Sequence, residues 1–110
     1  MTAALSESEY LSLASAELKS LLAALDDLGD DLEAELSSDI LTIELQRGGT
    51  YVINSHTAAR QIWMAADRRA WHFDYDREGK RWIATKSNEE LWQTLQNVLS
   101  AKLGRPIRLS

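Results

Sequence analysis

Apolar residues recur at three- and four-residue steps through Leu11, Ala14, Leu18, Leu21, Leu22, Leu25 and Leu28, which predicts an amphipathic helix. Ser6 and Glu9 stand at the spacing of a capping box that starts such a helix, and Gly29 stands where it should stop. From Leu32 the period falls to two: Leu32, Ala34 and Leu36 alternate with Glu33 and Glu35, the pattern of a half-exposed strand. Ser37, Ser38 and Asp39 form a turn into a second strand from Ile40 to Leu45, with Leu41, Ile43 and Leu45 on one face and Thr42 and Glu44 on the other. Gly48-Gly49 closes a hairpin into Tyr51–Asn54.

A looser loop through His56 leads to a strand at Ile62–Ala65, and a turn at Asp67–Arg69 leads to another at Trp71–Tyr75. Asp76–Lys80 turns the chain into Arg81–Thr85. Ser87 and Glu90 repeat the capping-box spacing ahead of a second helix carrying Leu91, Leu95, Val98 and Leu99, which Gly104 and Pro106 end. The tail residues Ile107 and Leu109 are placed to pack back on a helix. Strands joined by short turns form an antiparallel meander that buries one face, and each helix has an apolar stripe to cover. The expected fold class is α+β: a two-layer α/β sandwich, its meander sheet covered on one face by the N- and C-terminal helices, in a single domain over residues 1–110.

Composition narrows the chemistry. The chain has 110 residues and no cysteine, which excludes a thiol nucleophile, a zinc–thiolate site and cysteine ligation of an iron–sulfur cluster. A net charge of −5 argues against nucleic acid and for a cation or a basic protein surface as partner. The sequence shows neither a leader nor a membrane-length apolar run, so the cytoplasm is the expected compartment and no membrane is expected as partner. The sequence contains no G-x-S-x-G, P-loop, H-E-x-x-H or G-x-G-x-x-G pattern, and no enzymatic activity is expected.

The acidity is concentrated. Asp26, Asp27, Asp30, Asp31, Glu33 and Glu35 lie close together with no Lys or Arg among them. Asp26 and Asp27 fall in the last helical turn, where the helix dipole is negative and each carboxylate costs about 0.3–1 kcal/mol. A chain shaped by stability alone would carry cations there. Carboxylates without cysteine form a hard, all-oxygen donor set suited to iron, manganese, calcium or magnesium, and the same field attracts a basic protein.

Because Ile62 and Met64 fill the core face of their strand, Trp63 stands on the opposite, open face with Gln61 and Ala65. An exposed Trp beside Asn54 and Gln61 suits protein docking. His56 and His72 are candidate nitrogen ligands, His72 sharing a strand face with Asp74.

Over nearly its whole length the chain resembles the bacterial frataxin (CyaY) family. The resemblance lies in Leu25-Asp26-Asp27-Leu28, Ile40-Leu41-Thr42-Ile43, Asn54 followed by Gln61-Ile62-Trp63-Met64-Ala65, His72-Phe73-Asp74, Trp82-Ile83 and Glu90-Leu91-Trp92. It implies an accessory protein of iron–sulfur cluster assembly that binds ferrous and ferric iron weakly along the acidic helix and first strand. It also implies contact with the cysteine desulfurase and scaffold protein, as iron donor, regulator or both. A protein-interaction module with incidental metal binding is the alternative. A monomer is expected, with metal-dependent oligomers as a further possibility. Iron oxidation, discussed for the family, is not expected of this shorter acid set. Two departures stand out. Leu22 and Ala23 replace a Glu pair found in relatives, shortening the acidic ridge. Asn54-Ser55-His56-Thr57-Ala58 replaces the family's Asn-x-Gln-x-Pro, which predicts a looser loop.

Overall fold

In a computed structural model of the chain, which describes residues 5–109, two helices flank six strands. They are α1 (Glu7–Asp26), β1 (Leu32–Ser37), β2 (Ile40–Leu45), β3 (Thr50–His56), β4 (Gln61–Ala66), β5 (Arg69–Asp76), β6 (Arg81–Ala84) and α2 (Leu91–Leu103). The strands form one antiparallel sheet in chain order, β1 through β6, as the alternating pattern predicts. The expected two-layer sandwich is the observed one; residues 1–4 and 110 of the expected domain lie outside the described residues.

The core lies between the sheet and the helices. Leu41, Ile43, Ile53, Ile62, Met64, Phe73 and Trp82 meet Leu18, Leu21 and Leu25 of α1 and Leu91, Leu95 and Leu99 of α2, all fully buried or nearly so. Ser6 starts α1 through the predicted capping box with Glu9. Tyr10, fully buried, is a core position of this helix, and its hydroxyl donates to the Gln61 carbonyl at 2.6 Å. Leu11, expected on the apolar stripe, is 47% exposed. The stripe is set by Tyr10, Ala14, Leu18, Leu21 and Leu25, and Leu11 lies one residue round the helix from it.

Three other expectations change. Strand β3 continues through His56, which pairs with Gln61, so His56 lies in the sheet and not in a loose loop. The connection is a single 3-10 turn at Thr57–Ala59, closed by left-handed Arg60, whose guanidinium donates to the Thr57 carbonyl. The β4–β5 turn is also tighter than expected: Asp67 and Arg68 both take positive φ, and Arg69 already belongs to β5. At α2 the N-cap is Glu90, not Ser87. The Glu90 carboxylate accepts from the amides of Trp92 and Gln93, both at 2.9 Å, while Ser87 accepts from Glu89. A bridge from Ile83 to Glu90 fixes where the helix begins.

The C-terminal tail packs as the apolar pair predicts. Ile107 and Leu109 are buried, and their amides donate to the side chains of Ser100 and Gln96 on α2. The two helices meet where the Trp92 indole N–H donates to Glu17 at 3.2 Å. Burial raises the pKa of Glu17 above the ordinary carboxylate value despite this bond.

Replacing Glu90 by Ala should cost about 0.5–2 kcal/mol in chemical denaturation. Ser87→Ala should stay within about 0.5 kcal/mol. Glu17 supplies a pH test. A carboxyl whose pKa is raised on folding contributes most stability below its unfolded pKa, and that contribution is lost as pH rises through the folded value. Glu17→Gln, which keeps an acceptor for Trp92, should therefore melt higher than the parent at pH 7, and the gain should shrink towards pH 4.

Candidate metal and docking surfaces

The acidic segment crosses from a helix end to a sheet edge, and this crossing sorts its carboxylates. Asp26 is the last residue of α1 and Asp27 caps it; Gly29, at φ +86°, turns the chain toward β1. Along β1 the buried Leu32 alternates with Glu33 and Glu35, which point to the side of the sheet away from the helices. A groove of about 390 Å³ follows this edge, and Asp26, Gly29, Glu33, Glu35, Thr42 and Glu44 line it.

Of the six predicted ligands, the structure thus brings Asp26, Glu33 and Glu35 to one groove. It does not bring Asp27, Asp30 or Asp31 there. The Asp31 carboxylate is ion-paired with Arg105 from the segment after α2. Glu44 also lines this groove, a carboxylate that sequence reasoning did not single out. The register places it directly opposite Glu33, with Thr42 opposite Glu35. The signal was present in the alternation of β2, which sets Thr42 and Glu44 on the open face; its pairing with Glu33 follows once the hairpin register is known.

Two like charges directly opposite in an antiparallel pair destabilise the sheet by about 0.2–1 kcal/mol. Among the described residues none of the groove carboxylates has an ion-pair partner. Among the described residues, too, no three His, Asp or Glu side chains converge closely enough to hold a metal ion. The donor set is hard and all-oxygen and does not build a closed cage.

The second surface is the open face of β3, β4 and β5. Asn54 pairs with Trp63 and Trp63 with His72, so the three lie in one row across the strands. Ile40 pairs with Asn54 and extends the row; it is 46% exposed, an apolar contact that sequence reasoning did not single out. Ile62 and Met64 are buried on the helix side, which sends Trp63 to the open face as expected, where it is half-buried and not exposed as predicted. The Trp63 indole N–H donates to Gln61 Oε1 at 2.8 Å, and Gln61 Nε2 donates to Asp74 Oδ1 at 3.0 Å. Asn54 Nδ2 donates to the Ser55 carbonyl.

The two histidines sandwich this indole. His56 stacks on Trp63 with ring centroids 3.8 Å apart, and His72 stacks on its other side at 4.2 Å, both nearly parallel. Their rings therefore belong to the aromatic stack and do not join the acidic groove. Asp74, the expected companion of His72, bonds Gln61. His56 Nδ1 is buried without a hydrogen-bond partner among the described residues.

No helix among the described residues is long and apolar enough to cross a membrane. The sequence model of the frataxin-like domain matches residues 3–105. The chain is 32% identical to the iron-sulfur cluster assembly protein CyaY of Pseudomonas putida, over 94% of each chain. Its fold is similar to that of a frataxin from Psychromonas ingrahamii, with a TM-score of 0.87 at 21% identity, covering 96% of this chain and 99% of that one. Trimeric frataxin from Saccharomyces cerevisiae, solved in complex with ferrous iron, matches with a TM-score of 0.73 at 26% identity, covering 96% and 92% of the two chains. On the family match and the near-complete coverage by a CyaY relative, the chain belongs to the frataxin family.

Proposed function

We propose that this protein is a non-catalytic, iron-binding accessory factor of iron–sulfur cluster assembly, acting in the cytoplasm. In this reading it carries ferrous or ferric iron along the β1 edge and docks on the cysteine desulfurase and scaffold protein. The observation that carries the reading is the Glu33–Glu44 pair. It sets two carboxylates face to face at a sheet edge, beside Asp26 and Glu35, where stability favours opposite charges. The name of the Pseudomonas relative supports the pathway, and the ferrous complex of the yeast protein supports the cargo.

Two observations favour the alternative, in which the protein regulates the desulfurase and metal binding is incidental. The carboxylates do not converge on a point, and Asp31 is engaged by Arg105. An edge built this way attracts a basic protein surface as readily as a cation. Its iron binding would be weak and exchangeable. On the open face, Trp63 is the docking anchor, with Asn54 and Gln61 beside it.

Titrating ferrous iron while following amide NMR signals should broaden Asp26, Glu33, Glu35 and Glu44 ahead of Asp31. Uniform or absent broadening at millimolar iron would remove the cargo role. Glu44→Lys should separate stability from binding. It should stabilise the fold by about 0.2–1 kcal/mol through a new cross-strand pair with Glu33, while iron broadening at the groove weakens severalfold.

Desulfurase binding should weaken with salt and be lost when Asp26, Glu33, Glu35 and Glu44 are all reversed to Lys. Trp63→Ala should cost about 2 kcal/mol or more of that binding, measured by calorimetry. Binding indifferent to both changes would place the desulfurase contact elsewhere on the molecule.

A further inference from the structure

β1 is the outermost strand of the sheet, and its register decides which of its backbone groups are left over. The Gln46 amide donates to the Asp31 carbonyl at 3.0 Å, one step before the first registered pair, Leu32 with Leu45. In an antiparallel ladder hydrogen-bonded and non-hydrogen-bonded pairs alternate. Glu33, Glu35 and Ser37 therefore turn their N–H and C=O groups toward β2. Leu32, Ala34 and Leu36 turn theirs outward, off the edge of the sheet.

The two edges of this sheet are treated differently. β6 is four residues long, and the Ile83–Glu90 bridge lies beside it. β1 is six residues long and pairs without interruption, and it contains no Lys, Pro or bulge. Those are the usual devices that keep a free edge from pairing with another chain. The guard on β1 is negative charge alone: Glu33 and Glu35 on the strand, with Glu44 behind them.

Such a guard is selective. A second copy laid on the same edge would set Glu33 and Glu35 against their own counterparts, which is unfavourable. A strand with Lys or Arg at every second position would meet opposite charge instead. The room is there: the groove of about 390 Å³ runs along this edge, with Leu32 and Ala34 on its apolar side and Glu33, Glu35 and Glu44 on its charged side. Alternating basic and small apolar residues match that alternation, and strand addition supplies affinity through the main chain.

We infer that the outer edge of β1 receives an extended basic segment of a partner protein as a seventh, hydrogen-bonded strand. This inference rests on the reading of the acidic edge as a docking surface. It adds that docking there is made by the backbones of Ala34 and Leu36, Leu32 being buried, with charge selecting the partner.

A short capped peptide alternating Lys and Val is the probe, compared with the same peptide N-methylated on its pairing edge. Methylation keeps every charge and removes the donors. The unmodified peptide should slow hydrogen exchange at the Ala34 and Leu36 amides, and methylation should weaken binding about tenfold or more. Ala34→Pro should weaken it similarly, because the lost amide points away from β2 and an edge strand tolerates Pro. Circular dichroism of that variant should match the parent.

If the methylated peptide binds within about twofold of the unmodified one, or if exchange at Ala34 and Leu36 is unchanged in the complex, strand addition is overturned. Salt-dependent attraction to the edge would then still stand as the docking reading. If neither peptide binds at low salt, strand addition also fails, and salt-dependent desulfurase binding decides the docking reading separately. Should Ala34→Pro fail to fold, the methylated peptide still decides the question.

Discussion

One-sided burial of the sheet is the constraint on which the rest of this structure depends. Two helices cover a single face, so every strand must sort its residues by a period of two, and a one-residue slip would invert the sorting. Ile62 and Met64 are fully buried or nearly so, and that alone fixes Trp63 on the open face between them. The same rule acting on β1 and β2 sends Glu33, Glu35, Thr42 and Glu44 outward together. Both candidate surfaces are therefore consequences of the core.

That logic explains what the sequence made legible. Strong alternation in the strands and the three- and four-residue steps of the helices gave the element order, the meander and the face of Trp63. The misses share a cause: they lie where a tertiary partner overrides the local pattern. His56 looked like loop because a residue count cannot show that Gln61 pairs with it. Tyr10 was overlooked because its polar hydroxyl hides a core ring, and only the Gln61 carbonyl, far along the chain, satisfies that hydroxyl. Ser87 has capping chemistry, but the Ile83–Glu90 bridge begins the helix later and gives the cap to Glu90. Glu44 needed the hairpin register as well as the face.

The charges are arranged unevenly with respect to stability. Elsewhere in the fold the ion pairs follow the usual preference: Arg77 meets Glu9 in the first turn of α1, Arg81 meets Asp76, and Lys102 meets Asp67. Along the acidic segment only Asp31 has an ion-pair partner among the described residues, Arg105. The last turn of α1 has no basic residue, and Glu33 faces Glu44. Each of these is a modest cost by itself. Together they concentrate negative potential along the single sheet edge that is long, regular and lined by a groove, while leaving the core untouched.

The two surfaces are joined by the geometry of the sheet. Ser37 pairs with Ile40, Ile40 with Asn54, Asn54 with Trp63 and Trp63 with His72, so one row runs from the acidic edge to the aromatic stack. The exposed Ile40 stands between them. On the proposed reading this order assigns different work to each part of one interface. Long-range attraction belongs to the edge, because charge acts mainly on encounter and orientation. Retention belongs to Trp63, where a partner must strip water from an apolar centre. The stack of His56 and His72 holds the indole between two rings and leaves its edge to make that contact. A partner too acidic for the β1 edge would not be oriented for the row, and one without an apolar centre would not remain on it.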